Sequence, residues 1–304
     1  MKDPAPIRAR HDRVTPLRYP GGKGKLTGYI REIVEANELG GLYAEPYAGG
    51  AAIAFNLLLA GDVSRIAIND ISGSVFAFWH SVLHQTEELS RLIVDTPRTV
   101  DEWDRQKRIF ARGDVGNDLE LGFSLFFLNR TNRSGILNAG IIGGRGQTGA
   151  WRIDARYNAA ELVARVEAIG RERDRVNLTN LDAIAFLAQG KRTWPADALV
   201  YLDPPYYVKG RDLYYHFYDH ADHEAVADAV VGLGDLQWIV SYDNVGQIRD
   251  IYSGYQRAIY NIGYSARSAR QGSEVMFFAD DLIVPRMSGP VHVLEEHGAA
   301  AGLY

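Results

Sequence analysis

The chain has 304 residues, of which 46% are hydrophobic and 23% are charged, and its net charge is −5. This length and composition suit a large soluble α/β core, and no apolar run approaches the roughly 20 residues that cross a bilayer, which excludes a membrane protein. The absence of cysteine excludes disulfides and cysteine-based metal or redox sites, and without an apolar signal segment we expect a cytoplasmic protein.

Positive charge is concentrated at the start of the chain. Residues 1–31 carry eight basic and two acidic side chains, a net charge of +6. Such a segment suits contact with a polyanion, although a solvated basic tail has the same composition.

The first candidate site is the glycine-rich loop Tyr19-Pro20-Gly21-Gly22-Lys23, which precedes a helix predicted over Leu26–Ala36. Glycines let a ligand approach the backbone, Lys23 can neutralise a carboxylate or phosphate, and Tyr19 offers an aromatic face. The spacing is not that of a phosphate-binding P-loop. A plain turn is the alternative.

A strand, a small-residue turn and a helix follow, and they include Glu45, Pro46 and Gly49. In α/β folds this arrangement brings backbone amides against a nucleotide-like cofactor. The next predicted strand ends at Asp70, 21 residues beyond Gly49, where such folds place an acid that binds a ribose diol. An exposed strand-end aspartate is the alternative. Because G-x-G-x-x-G is absent, the pattern favours a cofactor with adenosine but no phosphates.

Residues 72–174 differ from the rest because predicted helices surround a polar, glycine-rich stretch from Asn129 to Gly149. We predict a hairpin or loop there, carried on a helical subdomain. Its side chains can donate to phosphates and base edges, and a mobile surface loop is the alternative. The candidate DNA contacts in this stretch are Asn129, Arg130, Arg133, Asn138 and Arg145.

The strand pattern returns with Val176–Thr179, and the later strands end in an antiparallel pair predicted within residues 256–266 and 273–284. Asp182 follows the first of these strands, where it can accept a hydrogen bond from a cofactor adenine or cap a helix. Arg267, in the loop of the antiparallel pair, is a further candidate DNA contact. His220 and His223 are explained by an amphipathic helix, so we predict no metal.

The remaining motif is Asp203-Pro204-Pro205-Tyr206, which follows the apolar run Ala198–Leu202. That run reads as a buried parallel strand, and its carboxyl end is where open sheets place ligands. The prolines fix the backbone and remove two N–H donors, so a carboxylate, a rigid carbonyl and an aromatic ring are held together. This set suits a planar ligand with an exocyclic amino group, stacked on Tyr206. An ordinary strand-ending turn is the alternative.

The order of these motifs resembles that of the Dam-type DNA adenine-N6 methyltransferases, the D12 class or alpha group, over about residues 15–285. The resemblance implies that S-adenosylmethionine is the cofactor and that the Asp203 turn holds the target adenine as the catalytic motif. It also implies that the turn from Glu45 to Gly49 passes the methionine end of the cofactor. By the same likeness Tyr19, Lys23, Asp70 and Asp203 contact the cofactor.

The sequence departs from the family pattern in one loop. Ala51 stands where the family usually has its second glycine, and Tyr47 replaces a phenylalanine. Gly50 and Ala51 are both small, so the cofactor-loop assignment is kept.

Three functions fit these residues. Asp203 and the Pro204 carbonyl can accept both N–H bonds of the exocyclic amine of a flipped base. Adenine-N6 methylation of duplex DNA is preferred, because the ordered motifs resemble that family and the tetrapeptide begins with an aspartate. Cytosine-N4 methylation makes the same chemical demands, and a DNA-binding regulator that has lost catalysis would keep the same fold. No metal and no covalent intermediate are needed. The partner is double-stranded DNA, and we expect a monomer in the cytoplasm, associated with the nucleoid.

The predicted fold class is α/β, with a Rossmann-like methyltransferase sheet that ends in an antiparallel hairpin and an inserted, mainly helical DNA-binding subdomain. We assign residues 15–74 and 175–285 to the catalytic domain and residues 75–174 to the insertion. Residues 1–14 and 286–304 are expected to be flexible termini.

Overall fold

A computed structural model of the chain describes residues 14–18, 22–113, 116–208, 218–262, 273–287 and 291–297. Two predicted site residues, Tyr19 and Arg267, lie outside the described residues. Nearly all of the expected N-terminal tail, residues 1–13, also lies outside them.

The strands form one eight-stranded sheet, which confirms the predicted mixed α/β class. They are β1 (Leu42–Glu45), β2 (Arg65–Asn69), β3 (Val176–Thr179), β4 (Ala198–Leu202), β5 (Gln237–Asp243), β6 (Arg257–Ile262), β7 (Glu274–Phe278) and β8 (Val291–His297). Their spatial order is β3-β2-β1-β4-β5-β7-β6-β8. The first five strands in this order pair in parallel and the remaining pairs are antiparallel.

The order of the parallel strands reverses between β1 and β4. From β1 the chain adds β2 and β3 on one side, then crosses to place β4 and β5 on the other. Ligands of open α/β sheets bind beside the carboxyl ends of the strands at such a switch point. Glu45 ends β1 and Asp203 follows the last residue of β4, so both lie at this point.

The antiparallel end of the sheet is longer than predicted. The expected pair is present as β6 and β7, in which Ala258 lies opposite Met276. We expected residues 286–304 to be flexible, which is wrong for β8, because Val291–His297 pair with β6 across a register shift after Ile259. An edge strand such as β8 is stabilised by pairing with its neighbour more than by its own sequence. Because the pattern of this segment is weak, the sequence alone did not indicate the strand.

Ten α-helices are present in the described residues. They are α1 (Thr27–Ala36), α2 (Ala52–Ala60), α3 (Gly73–His84), α4 (Thr86–Asp95), α5 (Val100–Arg112), α6 (Asp118–Thr131), α7 (Ala159–Gly170), α8 (Ala183–Thr193), α9 (His220–Val231) and α10 (Gly246–Ile251). The helices α3 to α7 lie between β2 and β3 in the chain and pack on one another. None of the described helices is long and apolar enough to cross a membrane.

The contact between α3 and α6 depends on a glycine. A Cβ on Gly122 would lie 2.6 Å from the Ala77 carbonyl oxygen and from the Phe78 Cα, so only glycine permits this approach. One turn later Phe126 stacks on Phe78, with ring centroids 5.9 Å apart. Both rings belong to the hydrophobic core that also contains the buried residues of the sheet. The helical segment therefore packs against the sheet as part of one core.

Candidate functional site

A cavity of about 1560 Å³ lies at the carboxyl ends of the parallel strands. Its wall includes residues from both predicted ligand sets, those for a cofactor and those for DNA. The predicted residues that line it are Lys23, Glu45, Gly49, Asp70, Asn129, Arg130, Asn138, Asp182, Asp203 and Pro205. The sheet therefore brings together motifs that are far apart in the sequence.

Asp203 is held by two side chains at the end of β4. Its Oδ1 lies 3.3 Å from the Lys23 Nζ and accepts a hydrogen bond from the Ser241 hydroxyl at 3.2 Å. Burial raises the pKa of Asp203 to about 6, with Lys23 opposing the rise and Glu274 adding to it. The carboxylate is thus fixed in direction and titrates just below neutral pH.

Lys23 connects the glycine-rich loop to two strands of the sheet, through Asp203 after β4 and Glu274 on β7. Its side chain is 4% exposed, and Nζ lies 3.3 Å from Glu274 Oε2 as well as beside Asp203. The Tyr206 hydroxyl donates to Glu274 Oε1 at 2.7 Å and also hydrogen-bonds to Lys23. The aromatic ring predicted to stack on a ligand is therefore anchored through its hydroxyl.

Two acidic residues were missed as site residues. Glu274 begins β7 and is 3% exposed, and Asp243 ends β5. The two Asp243 oxygens accept the backbone N–H groups of Tyr207 and Val208 at 2.9 and 3.0 Å, which fixes the chain after the Asp203 turn. An acid at the end of an apolar strand pattern was the available signal for Asp243. Nothing local distinguishes Glu274.

Gly49 and Asp70 are in direct contact at the cavity. The Gly49 N–H donates to Asp70 Oδ2 at 2.9 Å, and the Ser72 N–H donates to Oδ1 at 2.9 Å. The Trp79 indole N–H donates to the Gly49 carbonyl at 2.9 Å. Burial raises the pKa of Asp70 to about 6, although the hydrogen bonds from the Ser72 and Gly49 N–H groups lower it. A rigid carboxylate thus faces the cavity beside the small-residue turn.

Ala51, the departure from the family pattern, takes a backbone conformation that favours glycine. Its φ is 44° and its ψ is 38°, just before α2. A left-handed conformation costs an alanine about 1 kcal/mol or more. Its side chain is 2% exposed, so burial of the methyl group offsets part of that cost.

Glu45 is a buried carboxyl group with a high pKa. Burial raises the pKa to about 8, although the Tyr43 hydroxyl and the Ala54 N–H donate to its Oε1 at 3.1 and 3.2 Å. At neutral pH Glu45 is therefore mainly protonated. It braces the turn that follows β1 as a neutral group.

We predict that Glu45→Gln changes how stability depends on pH. A raised carboxyl pKa makes the folded wild type lose stability as pH rises from the ordinary value of 4.5 to about 8. Glutamine resembles the protonated form and does not ionise, so the melting temperature of the variant should fall less between pH 6 and 8. Thermal unfolding across this range tests the prediction, with the exposed Glu87→Gln as the control. An equal fall in all three proteins would contradict it.

Asp182 caps a helix, which was one of its two predicted roles. Its Oδ1 accepts the Ile184 N–H at 2.9 Å at the start of α8, and it also lies at the cavity wall. The helix α9 begins similarly, with a capping box between Asp219 and Asp222. His223 is buried beside the Tyr242 hydroxyl at 3.0 Å. The described residues contain no group of three or more His, Asp or Glu placed to hold a metal ion.

The polar stretch after α6 is a series of turns with one isolated bridge, Asn132 to Ile141, and so it takes the loop form that we predicted as an alternative to a hairpin. Arg133 and Asn138 are exposed in it. Arg145 is also exposed and forms two hydrogen bonds with Asp104, at 2.9 and 2.7 Å. Contact of Arg145 with a phosphate would therefore compete with this carboxylate.

Asn129 does not have the position expected of a DNA contact. It is 2% exposed, its Oδ1 accepts the Arg18 N–H at 2.7 Å, and its Nδ2 donates to the carbonyls of Arg18 and Gly135 at 3.0 Å. Because its amide is fully used, we revise its role to that of holding Arg18. The neighbouring Arg130 remains half-buried at the cavity wall.

Comparison with known proteins gives one family. A family model described as D12 class N6 adenine-specific DNA methyltransferase matches residues 19–264. Among solved structures, the crystal structure of protein LPL1258 from Legionella pneumophila str. Philadelphia 1 is 13% identical, covers 84% of this chain and 86% of that chain, and has a TM-score of 0.30, which supports no inference. No curated protein matches the chain.

Proposed function

Because the chain belongs to the D12 class of N6 adenine-specific DNA methyltransferases, we propose that Asp203 is shared between S-adenosylmethionine and a target adenine in its cavity. The protein is a DNA adenine-N6 methyltransferase, and methyltransferases of this family use S-adenosylmethionine. The observation that carries the residue assignment is the position of Asp203. It lies at the switch point of the sheet, where Lys23 and Ser241 fix its carboxylate.

The cavity suits S-adenosylmethionine chemically. Asp70 offers a carboxylate that two backbone amides fix in place, which suits a ribose diol. Lys23 and residues of the Glu45-to-Gly49 turn line the same cavity, and Asp182 has a second oxygen for an adenine amino group. When bound, the cofactor supplies an electrophilic methyl group on a sulfonium. Pro46 holds this turn, since its carbonyl accepts the Asn69 side-chain amide at 3.0 Å.

The Asp203 turn provides the acceptors that an adenine amino group requires. The N6 lone pair is delocalised into the ring and is a poor nucleophile. Asp203 and the Pro204 carbonyl would accept the two N6–H bonds, which would direct that lone pair out of the ring plane and make the amine a better nucleophile. Pro205 keeps the backbone in this position, and Tyr206 presents a ring whose hydroxyl is anchored to Glu274. The residues thus orient the amine without a covalent intermediate.

Duplex DNA is the proposed form of the substrate, and residues 75–174 are its proposed binding subdomain. An adenine stacked in a duplex must be flipped out, at a cost of a few kcal/mol, to reach the Asp203 turn. The loop with Arg133 and Asn138 is exposed beside the cavity that would receive the base. We further propose that the protein is a monomer and acts on the nucleoid in the cytoplasm.

The proposed function is tested by sequencing modified bases in unmethylated duplex DNA exposed to the protein and S-adenosylmethionine. N6-methyladenine at a repeated sequence context is the expected result, and the same data report the recognition sequence. N4-methylcytosine would show that the amine of a different base is used. DNA binding without any modified base would identify a regulator that has lost catalysis.

We predict that Asp70→Asn weakens cofactor binding by about tenfold, since a hydrogen bond to a charged acceptor contributes about 1.5 kcal/mol. The pKa of Asp70 is about 6, and only the ionised form is a full acceptor. Wild-type affinity should therefore fall as pH is lowered through 6, and the affinity of the variant should change less. Calorimetric titration with S-adenosylhomocysteine, which lacks the reactive methyl group, measures both effects. If the wild type and Asp70→Asn bound S-adenosylhomocysteine with equal affinity at every pH, the role of Asp70 would be contradicted.

A further inference from the structure

A group of arginines lines the cavity on the side of α6 and α7. Arg18, Arg130, Arg156 and Arg165 all contribute to the wall there, together with the single carboxylate of Glu161. That carboxylate is engaged by Arg165, with which it forms a hydrogen-bonded ion pair. The remaining guanidinium groups are left with an excess of positive charge.

Three donors in this region have no hydrogen-bond partner among the described residues. They are Nη1 of Arg18, Nε of Arg130 and the hydroxyl of Tyr157, and all three atoms are buried. Tyr157 as a whole is 6% exposed, and its ring packs on Phe126 and Phe127. A buried donor without a partner is costly, and three together indicate an acceptor that binds there.

The arrangement is held in place by specific bonds. Asn129 fixes the Arg18 backbone from both sides, and Arg165 donates to the Thr15 carbonyl at 3.2 Å. Gly135 has a φ of 76° and lies so close to Arg18 that a Cβ there would be 2.3 Å from the Arg18 carbonyl oxygen. These contacts hold the Arg18 backbone against Asn129, the residue next to Arg130, and one guanidinium nitrogen of each arginine is buried without a partner among the described residues.

The positive charges also act on one another. Burial, then Arg18 and Arg165, lower the pKa of Arg130 to about 10. Burial and Arg156 lower the pKa of Arg18. An anion between these groups would remove the repulsion and supply the missing acceptors at once.

We propose that Arg18, Arg130 and Tyr157 form a binding site for one phosphate group. Guanidinium groups match phosphate oxygens in geometry, and a tyrosine hydroxyl donates to the same kind of acceptor. Because Arg18 and Arg130 line the cavity that also contains Asp203, the ligand assigned is the backbone phosphate beside the flipped adenine, which rests on the proposed function. Free inorganic phosphate has the same chemistry, and the experiments separate the two sources.

The first experiment measures duplex affinity over a range of salt concentrations for Arg18→Gln, Arg130→Gln and Tyr157→Phe. Each substitution should weaken duplex binding about tenfold. The salt dependence should decrease by about one counterion for each arginine variant and be unchanged for Tyr157→Phe. Affinity for S-adenosylhomocysteine should stay at the wild-type value. The control is Arg91→Gln, an exposed arginine paired with Glu88.

Tyr157→Phe separates binding from folding. The phenylalanine keeps the packing on Phe126 and Phe127 and removes only the unpartnered hydroxyl, so stability without DNA should be unchanged or higher. A purely structural tyrosine would instead lose stability and keep its DNA affinity. That outcome would overturn the role of Tyr157 even if an arginine variant failed to fold.

The second experiment places one neutral methylphosphonate linkage at a time around the methylated adenine. At one position, the neutral linkage should weaken wild-type binding about tenfold. The same linkage should have little further effect on Arg130→Gln, because that variant already lacks the contact. Equal losses in both proteins at every linkage would overturn the assignment to a DNA phosphate. The wild type should also be stabilised by inorganic phosphate more than Arg130→Gln is.

Stabilisation by inorganic phosphate together with unchanged duplex binding in all three variants would assign the site to the free ion and overturn the DNA assignment. No response to either ligand would overturn the phosphate site itself. Base sequencing of DNA treated with the wild type reports adenine methylation independently, so failure of this site is distinguishable from failure of the proposed function.

Discussion

Asp203→Asn is expected to reduce the rate of methyl transfer by about 1000-fold, the upper range for loss of one preorganised electrostatic contact to a reacting group. Asparagine has nearly the same shape, but it is neutral and its NH₂ group cannot accept an N–H bond. Ser241 and Lys23 can still contact its carbonyl oxygen, so the turn should keep its position. The loss should therefore appear in the single-turnover rate, with duplex affinity within a few-fold of the wild type.

The pH dependence gives a second measure of the same role. The pKa of Asp203 is about 6, because burial raises it from the ordinary value of 3.8. Only the carboxylate accepts the N6–H bond, so the wild-type single-turnover rate should rise tenfold per pH unit below 6 and level off above it. The residual activity of Asp203→Asn should lack this dependence.

A matched control uses Asp235→Asn, which replaces an exposed aspartate before β5. Its rate and pH profile should equal those of the wild type. Asp203→Asn with more than one tenth of the wild-type rate, or with the same pH profile, would contradict the shared role assigned to Asp203.

The parallel strands and their ligand-binding edge could be predicted because their signals are local. Apolar runs such as Ala198–Leu202 mark buried strands, and the acids that follow them lie at one edge of a parallel sheet. The 21-residue spacing from Gly49 to Asp70 predicts a ribose-binding acid, and the fold places both residues at the cavity, where a 2.9 Å hydrogen bond joins them.

What the sequence did not reveal depends on long-range contacts. Glu274 lies 251 residues from Lys23, and only the antiparallel pairing of β7 with β5 brings it to the site. Asn129 was misassigned because a polar residue beside a glycine-rich loop resembles a DNA donor, whereas the fold buries it against Arg18.

Lys23→Met is expected to lower both stability and activity, because it leaves the carboxylates of Asp203 and Glu274 without the cation that lies between them. Breaking a buried ion pair by removing one partner costs about 3 kcal/mol or more. The Asp203 side chain is 23% exposed, so water screens part of the repulsion and the lower value is the better expectation. Urea unfolding at pH 7 measures the loss.

The activity of Lys23→Met should respond to pH differently from that of the wild type. Lys23 opposes the rise in the pKa of Asp203, while Glu274 promotes it. Without Lys23 that pKa moves above 6, so more of Asp203 is protonated at neutral pH and the midpoint of the rate profile shifts upward. The variant should recover part of its rate at pH 8 to 9.

Glu274→Gln in the same chain distinguishes charge from packing. It removes one of the two carboxylates and keeps an acceptor for the Tyr206 hydroxyl. The double variant Lys23→Met, Glu274→Gln should therefore be more stable than Lys23→Met alone, and its midpoint should return toward 6. Additive losses from the two substitutions would mean that Lys23 acts through packing and not by neutralising this pair. Restoration by Glu274→Gln would show that the basic residue of the N-terminal loop keeps Asp203 ionised at neutral pH.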